Sequence, residues 1–324
     1  MNSLASALKR HPALPLTLLA GAALLAAVLF MTLNARGNWD FVLAFRGRKL
    51  WGLALVAYAI AVSTVLFQTV TDNRILTPAI MGFDHLYQLV QTGLVFVLGG
   101  FAYATLDPQL RFAGDLVVMV SLSLLLFRWL FGRAARSLHL LVLVGIVFGV
   151  LFRSLSNLMQ RLIDPNEFAV LQDALFASFN AVDPTLLALA TLILAAVSLA
   201  ALPLLPRLDV LLLGRDAAIG LGVDHVRTVS AVLAIVAVMV SVSTALVGPV
   251  LFFGLLTAHL AYLVMPGYRH IHVLPAAVLI GLIGLIGGQA VLEHVFGYNT
   301  ALSIIIEFVG GLTFLYLLLR TKRA

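Results

Sequence analysis

Residues 229–265 read VSAVLAIVAVMVSVSTALVGPVLFFGLLTAHLAYLVM. No Asp, Glu, Lys or Arg interrupts this run. It is nearly twice the ~20 residues an apolar helix needs to cross a bilayer. Gly248-Pro249 divides it at a pair that breaks helices, so two helices, 229–247 and 250–265, are expected to meet in a tight reversal. In hydrocarbon every backbone N–H and C=O needs an internal partner, so each such segment must be helical.

The same reading extends outward in both directions. Apolar segments occupy 13–33, 50–70, 85–105, 114–131, 138–157, 184–203, 229–247, 250–265, 274–292 and 300–319. An all-α polytopic membrane protein of about ten transmembrane helices is expected, with residues 1–324 forming one permease-like domain. Composition agrees: 62% of the residues are hydrophobic, 10% are charged, and the mean hydropathy is +1.09. A soluble domain carries roughly 25% charged residues. The net charge of +6 is too thinly spread to suggest a nucleic-acid partner, and the absence of cysteine removes disulfides and thiolate metal sites. The segment 13–33 follows Lys9-Arg10 as a signal peptide would, but it is long enough to span. Asn34-Ala35-Arg36-Gly37 suits cleavage poorly, so it is expected to be the first span.

Positive charges orient the chain. With the N-terminus inside, thirteen of the twenty Lys and Arg residues fall in cytoplasmic segments and seven outside, the expected bias. Both termini are then cytoplasmic, in the inner membrane of a bacterial cell. Four of the outer cations cluster ahead of the second span: Arg36, Arg46, Arg48 and Lys49. Anchoring in lipid headgroups is one reading of them. Val62-Ser63-Thr64-Val65-Leu66 recurs as Val242-Ser243-Thr244-Ala245-Leu246 in a span of opposite direction. Five spans per half would make the halves inverted repeats, a transporter architecture.

No G-x-x-x-x-G-K-[ST] occurs, so ATP hydrolysis, if it drives the protein, belongs to a separate subunit. The long cytoplasmic loop, about 204–228, contains Gly214-Arg215-Asp216-Ala217-Ala218-Ile219-Gly220-Leu221-Gly222-Val223. Asp216 suits the start of a short helix. The alanines and glycines allow close backbone approach, and Ile219, Leu221 and Val223 are apolar knobs for a partner's groove. An amphipathic helix lying on the membrane surface is the other reading.

These residues carry a family likeness. Arg46-Gly47-Arg48-Lys49, Phe67-Gln68, Asp72-Asn73-Arg74-Ile75-Leu76-Thr77-Pro78 and Met81-Gly82 form one block. The Gly214–Val223 loop is a second, Gly248-Pro249 through His259 a third, and Phe314 through Arg320 a fourth. Together the chain resembles the iron–siderophore and cobalamin permeases of type II ABC importers, on a divergent branch of the catecholate-siderophore kind. The resemblance implies an importer moving ferric siderophores by alternating access. It also implies a dimeric channel, a pair of cytoplasmic ATPases coupled through residues 214–223, and a periplasmic binding protein docking on Arg46, Arg48 and Lys49. It places Ser154, Ser156, Asn157, Asn299, Thr300 and Ser303 on the translocation path, where Glu307 is expected as well.

Departures from the pattern matter. Ala258 stands where the family has proline, Gly287 through His294 replaces its Ala-Asp-Thr-x-x-Arg, and Tyr298-Asn299-Thr300-Ala301 replaces Leu-Pro-x-Gly. With one docking cation missing, a heterodimer with a second permease is favoured over a homodimer. Neither a paired-carboxylate nor a nucleophile–base motif points to an enzyme. The histidines lack the converging ligands of a metal site, and no cofactor is expected. The alternatives are a zinc or manganese importer permease and an ion-coupled secondary transporter, the latter resting on Glu307 alone.

Overall fold

The computed structural model describes residues 12–33, 39–134, 138–180, 182–298 and 300–321. Among them every regular element is a helix. We number the helices α1 (Ala13–Thr32), α2 (Trp39–Thr71), α3 (Asp84–Leu98), α4 (Gly100–Thr105), α5 (Pro108–Ala134), α6 (Leu138–Gln160) and α7 (Pro165–Leu175). They continue as α8 (Pro184–Ala201), α9 (Leu205–Leu211), α10 (Arg215–Gly220), α11 (His225–Val247), α12 (Phe253–Val264), α13 (His270–His294) and α14 (Leu302–Thr321).

Among the described residues seven stretches are long and apolar enough to cross a membrane: α1, Val42–Thr71 of α2, the first part of α5, most of α6, Pro184–Leu211, α11 and α13. The expected count of ten is not reached by this measure, and local breaks explain two of the shortfalls. Gly99, at φ +81°, ends α3 after 15 residues and starts α4 at an angle. The chain from Gly248 to Phe252 is non-helical, so α12 holds only 12 residues. Phe252 there sits at φ +57°, a conformation a bulky side chain adopts only under constraint.

The two central helices are α2 and α11. In their membrane-length windows 67% of residues are buried, against 17% for α1, α6 and Pro184–Leu211. Their residues are small or β-branched: Ala57, Ala59, Ala61, Val62 and Val65 on α2, and Val236, Ala237, Val240 and Val242 on α11. Small residues let helix backbones approach where no water drives association. The glycines complete this: an added Cβ on Gly281 of α13 would stand 3.4 Å from Ala57 of α2. Three helices, α7, α8 and the central α11, start on an aspartate cap. Asp164 accepts from Asn166 N–H, Asp183 from the N–H groups of Thr185 and Leu186, and Asp224 from Arg227 N–H. Proline follows Asp164 and Asp183 at the first helical position, where its missing N–H loses nothing.

Candidate functional site

The α9–α10 segment is a hairpin of short helices, with α9 packed on the bundle through the buried Leu208 and Leu211. Gly214, at φ +91°, caps α10, and Gly222, at φ +86°, turns the chain toward α11. Asp216 lies in the first turn of α10, where the helix dipole favours an anion. Ala218 is fully buried against the bundle, and Val223 N–H closes the turn by donating to Ala218 O at 3.0 Å. The opposite side of the segment is apolar and open: Leu213, Ile219 and Leu221 are 63%, 50% and 64% exposed. Three large apolar side chains exposed on and beside one short helix form a candidate docking ridge.

A polar latch ties the base of this hairpin to the core. Asp209 of α9 accepts from the backbone N–H of His270 at 2.9 Å, and its Oδ1 lies 2.6 Å from His270 Nδ1. The other ring nitrogen lies 2.7 Å from Thr69 Oγ1, near the end of α2. His270 is buried, so one imidazole joins α9, α13 and α2. Sequence reading passed over this latch, because Thr69, Asp209 and His270 are remote in the chain and match no spacing. Nearby, the Arg74 guanidinium sits 4.8 Å and 5.2 Å from the ring centroids of Tyr262 and Tyr268.

The basic block at the start of α2 divides its work. Arg46 Nη1 donates to the carbonyls of Phe30 at 2.8 Å, Met31 at 3.3 Å and Leu33 at 2.7 Å, closing the end of α1. Those carbonyls have no partner within their own helix. Lys49 is 4% exposed, and its Nζ contacts Glu293 Oε1 at 2.7 Å. Gln289 Nε2 also donates to that oxygen at 2.9 Å. Glu293 is one of the residues that break the family's pattern at the end of α13, and it supplies the counter-charge that a buried lysine requires. Arg48 is exposed, with Nε donating to Ala44 O one turn back.

The expected path residues scatter. On α6, Ser154 and Asn157 are exposed, whereas Ser156 is buried and donates to Phe152 O at 2.8 Å. Asn299 lies outside the described residues. Thr300 and Glu307 are half-buried, and Ser303 is buried, its hydroxyl without a partner among the described residues. A larger cavity of about 490 Å³ opens between α3–α4, α7 and the end of α11. Tyr87, Tyr103, Arg111 and Asp173 line it, and Arg111 lies 5.1 Å from the Tyr103 ring centroid. This chamber was not anticipated, since α7 carries no motif.

Comparison with known proteins follows the same lines. The model of the FecCD transport family matches residues 13–320. The chain is 44% identical over 309 residues to the petrobactin import system permease protein YclO of Bacillus subtilis (strain 168), covering 95% of this chain and 98% of that one. It is 38% identical to the petrobactin import system permease protein FatC of Bacillus anthracis, over 84% of this chain and 78% of that one. Among solved structures, an inward-facing metal-chelate type ABC transporter superposes with a TM-score of 0.82 at 21% identity, covering 95% of this chain and 99% of that one. The likeness in fold and the near-complete match in sequence coincide, and the chain belongs to the FecCD transport family.

Proposed function

We propose that this chain is a permease subunit of an ATP-driven importer that carries ferric siderophores of the petrobactin kind into the cell. The near-end-to-end 44% identity to a petrobactin permease carries this reading. In it the chain makes ten spans as two inverted five-helix halves, with α3–α4, α12 and α14 as the remaining crossings and both termini in the cytoplasm. Residues Gly214–Val223 dock an ATPase dimer, and the exposed Leu213, Ile219 and Leu221 support that role. The binding protein meets the opposite end around Arg48, on a surface held in shape by Arg46 and Lys49. A second, different permease completes the channel, covering the exposed faces of α6 and α14 that carry Ser154, Asn157 and Glu307.

The test is reconstitution in vesicles with an ATPase, a paralogous permease and a petrobactin-binding protein. Uptake of iron-55 as ferric petrobactin, dependent on ATP and on the second permease, is expected. Uptake of free zinc or manganese instead, or transport driven by an ion gradient without the ATPase, would overturn the assignment. Full transport with this permease alone would remove the heterodimer.

A further inference from the structure

A second polar site lies inside the bundle, apart from the docking segments. The repeated Ser-Thr pairs, Ser63-Thr64 on α2 and Ser243-Thr244 on α11, line one cavity of about 30 Å³ together with Thr77 and Asp84. By this measure about 10–15 Å³ holds one water, so the space fits one or two water-sized occupants. Two breaks in helical structure meet at it. One is the wide turn Ala79–Phe83 that begins just after Thr77-Pro78, with Gly82 at φ +100°. The other is the Gly248–Phe252 reversal, which brings the left-handed Phe252 to the wall. Gly254 makes the approach possible, because a Cβ there would collide with Thr64 Oγ1 and sit 3.2 Å from the Ile60 side chain.

The polar side chains facing the cavity are five hydroxyls and one carboxylate. Ser63 Oγ donates to Ile60 O at 3.1 Å and Ser243 Oγ donates to Val240 O at 2.9 Å, so both hydroxyls have used their protons. Lone pairs are what they offer elsewhere. Asp84 is 7% exposed, and its Oδ2 is buried with no donor among the described residues. No Lys, Arg or His lines the cavity. A buried carboxylate oxygen with no protein donor calls for a polar or cationic partner in the cavity.

We infer that this cavity binds an alkali cation, sodium by size, through the Asp84 carboxylate and the hydroxyl oxygens of Ser63, Thr64, Ser243 and Thr244. Hard oxygens select a hard cation, and one direct carboxylate with neutral hydroxyls matches a single positive charge. Calcium takes six to eight oxygen ligands, usually several of them carboxylates, and magnesium a strict octahedron. Broken helices that supply oxygens to an ion between inverted repeats are a known membrane-transporter device. Here the cation bridges the two central helices and holds them in one relative position, whatever the protein carries.

The experiment uses the purified complex with its partner subunits in lipid nanodiscs. Sodium-22 binding is measured against excess choline, and the unfolding midpoint is followed in sodium, potassium or choline chloride at equal ionic strength. Saturable sodium-22 binding and a midpoint a few degrees higher in an alkali salt than in choline are expected. Asp84→Asn should abolish both, and the near-isosteric Thr244→Val should weaken binding several-fold. If Asp84→Asn fails to fold, Thr244→Val with Ser63→Ala carries the same test. Wild-type protein that binds no sodium-22, or shows one midpoint in all three salts, overturns the site, as does a variant that keeps the full sodium response.

Discussion

The α9–α10 hairpin and the start of α2 both carry family signatures, and they use them in opposite directions. In the hairpin, Leu208, Leu211 and Ala218 turn inward, and Leu213, Ile219 and Leu221 stand away from the protein. At the start of α2, Arg46 is committed to three carbonyls of α1 and Lys49 to Glu293, leaving Arg48 outward. A signature therefore does not by itself mark a partner surface. What separates the two regions is whether the fold supplies a partner for each side chain: buried charges must be answered inside the chain, whereas exposed apolar groups ask for something outside it.

The largest effect should come from filling the hairpin's exposed apolar ridge. Gly220 has an ordinary helical conformation and open space around its missing Cβ, unlike the positive-φ Gly214 and Gly222. Gly220→Trp is thus expected to leave the permease's unfolding midpoint unchanged while abolishing co-purification of the ATPase. Retained association would show that the ridge faces lipid. Gly222→Trp is a poorer probe, because a side chain at φ +86° is strained whatever it meets.

Next in size is the buried pair. Lys49→Ala leaves Glu293 without its cation, and a broken buried ion pair costs about 3–5 kcal/mol. The double change Lys49→Met with Glu293→Gln should recover most of that, since no charge is then stranded. A thermal-unfolding series on the three proteins reads it. If Lys49→Ala unfolds like the wild type, Lys49 is free to serve a partner after all, and the contrast between the two regions fails.

The latch beneath the hairpin ranks third. Asp209→Ala removes the acceptor for two His270 donors, which costs about 1–3 kcal/mol locally. Because His270 also reaches Thr69, the loss should loosen the hairpin against α2. ATP hydrolysis is expected to continue while uptake per ATP falls, in a coupled vesicle assay. A parallel fall of hydrolysis and uptake would reduce the latch to a folding element.

How much of this was legible in the sequence differs by region for a physical reason. The apolar runs announced helices because hydrocarbon enforces one backbone solution. The hairpin was legible because its glycines and alanines act locally, within one turn of where they stand. The expected reversal at Gly248-Pro249 is where α11 ends, and it trims 250–265 only to Phe253–Val264, whereas Gly99 breaks 85–105 inside otherwise continuous apolar sequence. Lys49 with Glu293 and Asp209 with His270 are pairings across the bundle, and no spacing along the chain encodes them. Glu293 shows the cost most clearly. As sequence it reads as a departure from the family pattern, and in the fold it answers the lysine that the same pattern assigns to docking.

The smallest expected effect is at Arg48, and it tests the contrast within a single turn of helix. Arg48 is exposed and bonds only its own helix, at Ala44 O, so Arg48→Glu should change stability by no more than about 0.5 kcal/mol. If the binding protein docks there, charge reversal should weaken its association several-fold at low salt. The loss should shrink as ionic strength shortens the screening length to about 8 Å near 0.15 M. Rim charges of this kind govern encounter more than residence, so the change belongs in the association rate. Arg46→Glu is the control, because it uncaps the carbonyls of Phe30, Met31 and Leu33. It should lower stability by about 1–3 kcal/mol. If the two reversals give the same binding defect and the same stability, the division of labour between neighbouring arginines is wrong, and the block acts as one undivided patch of charge.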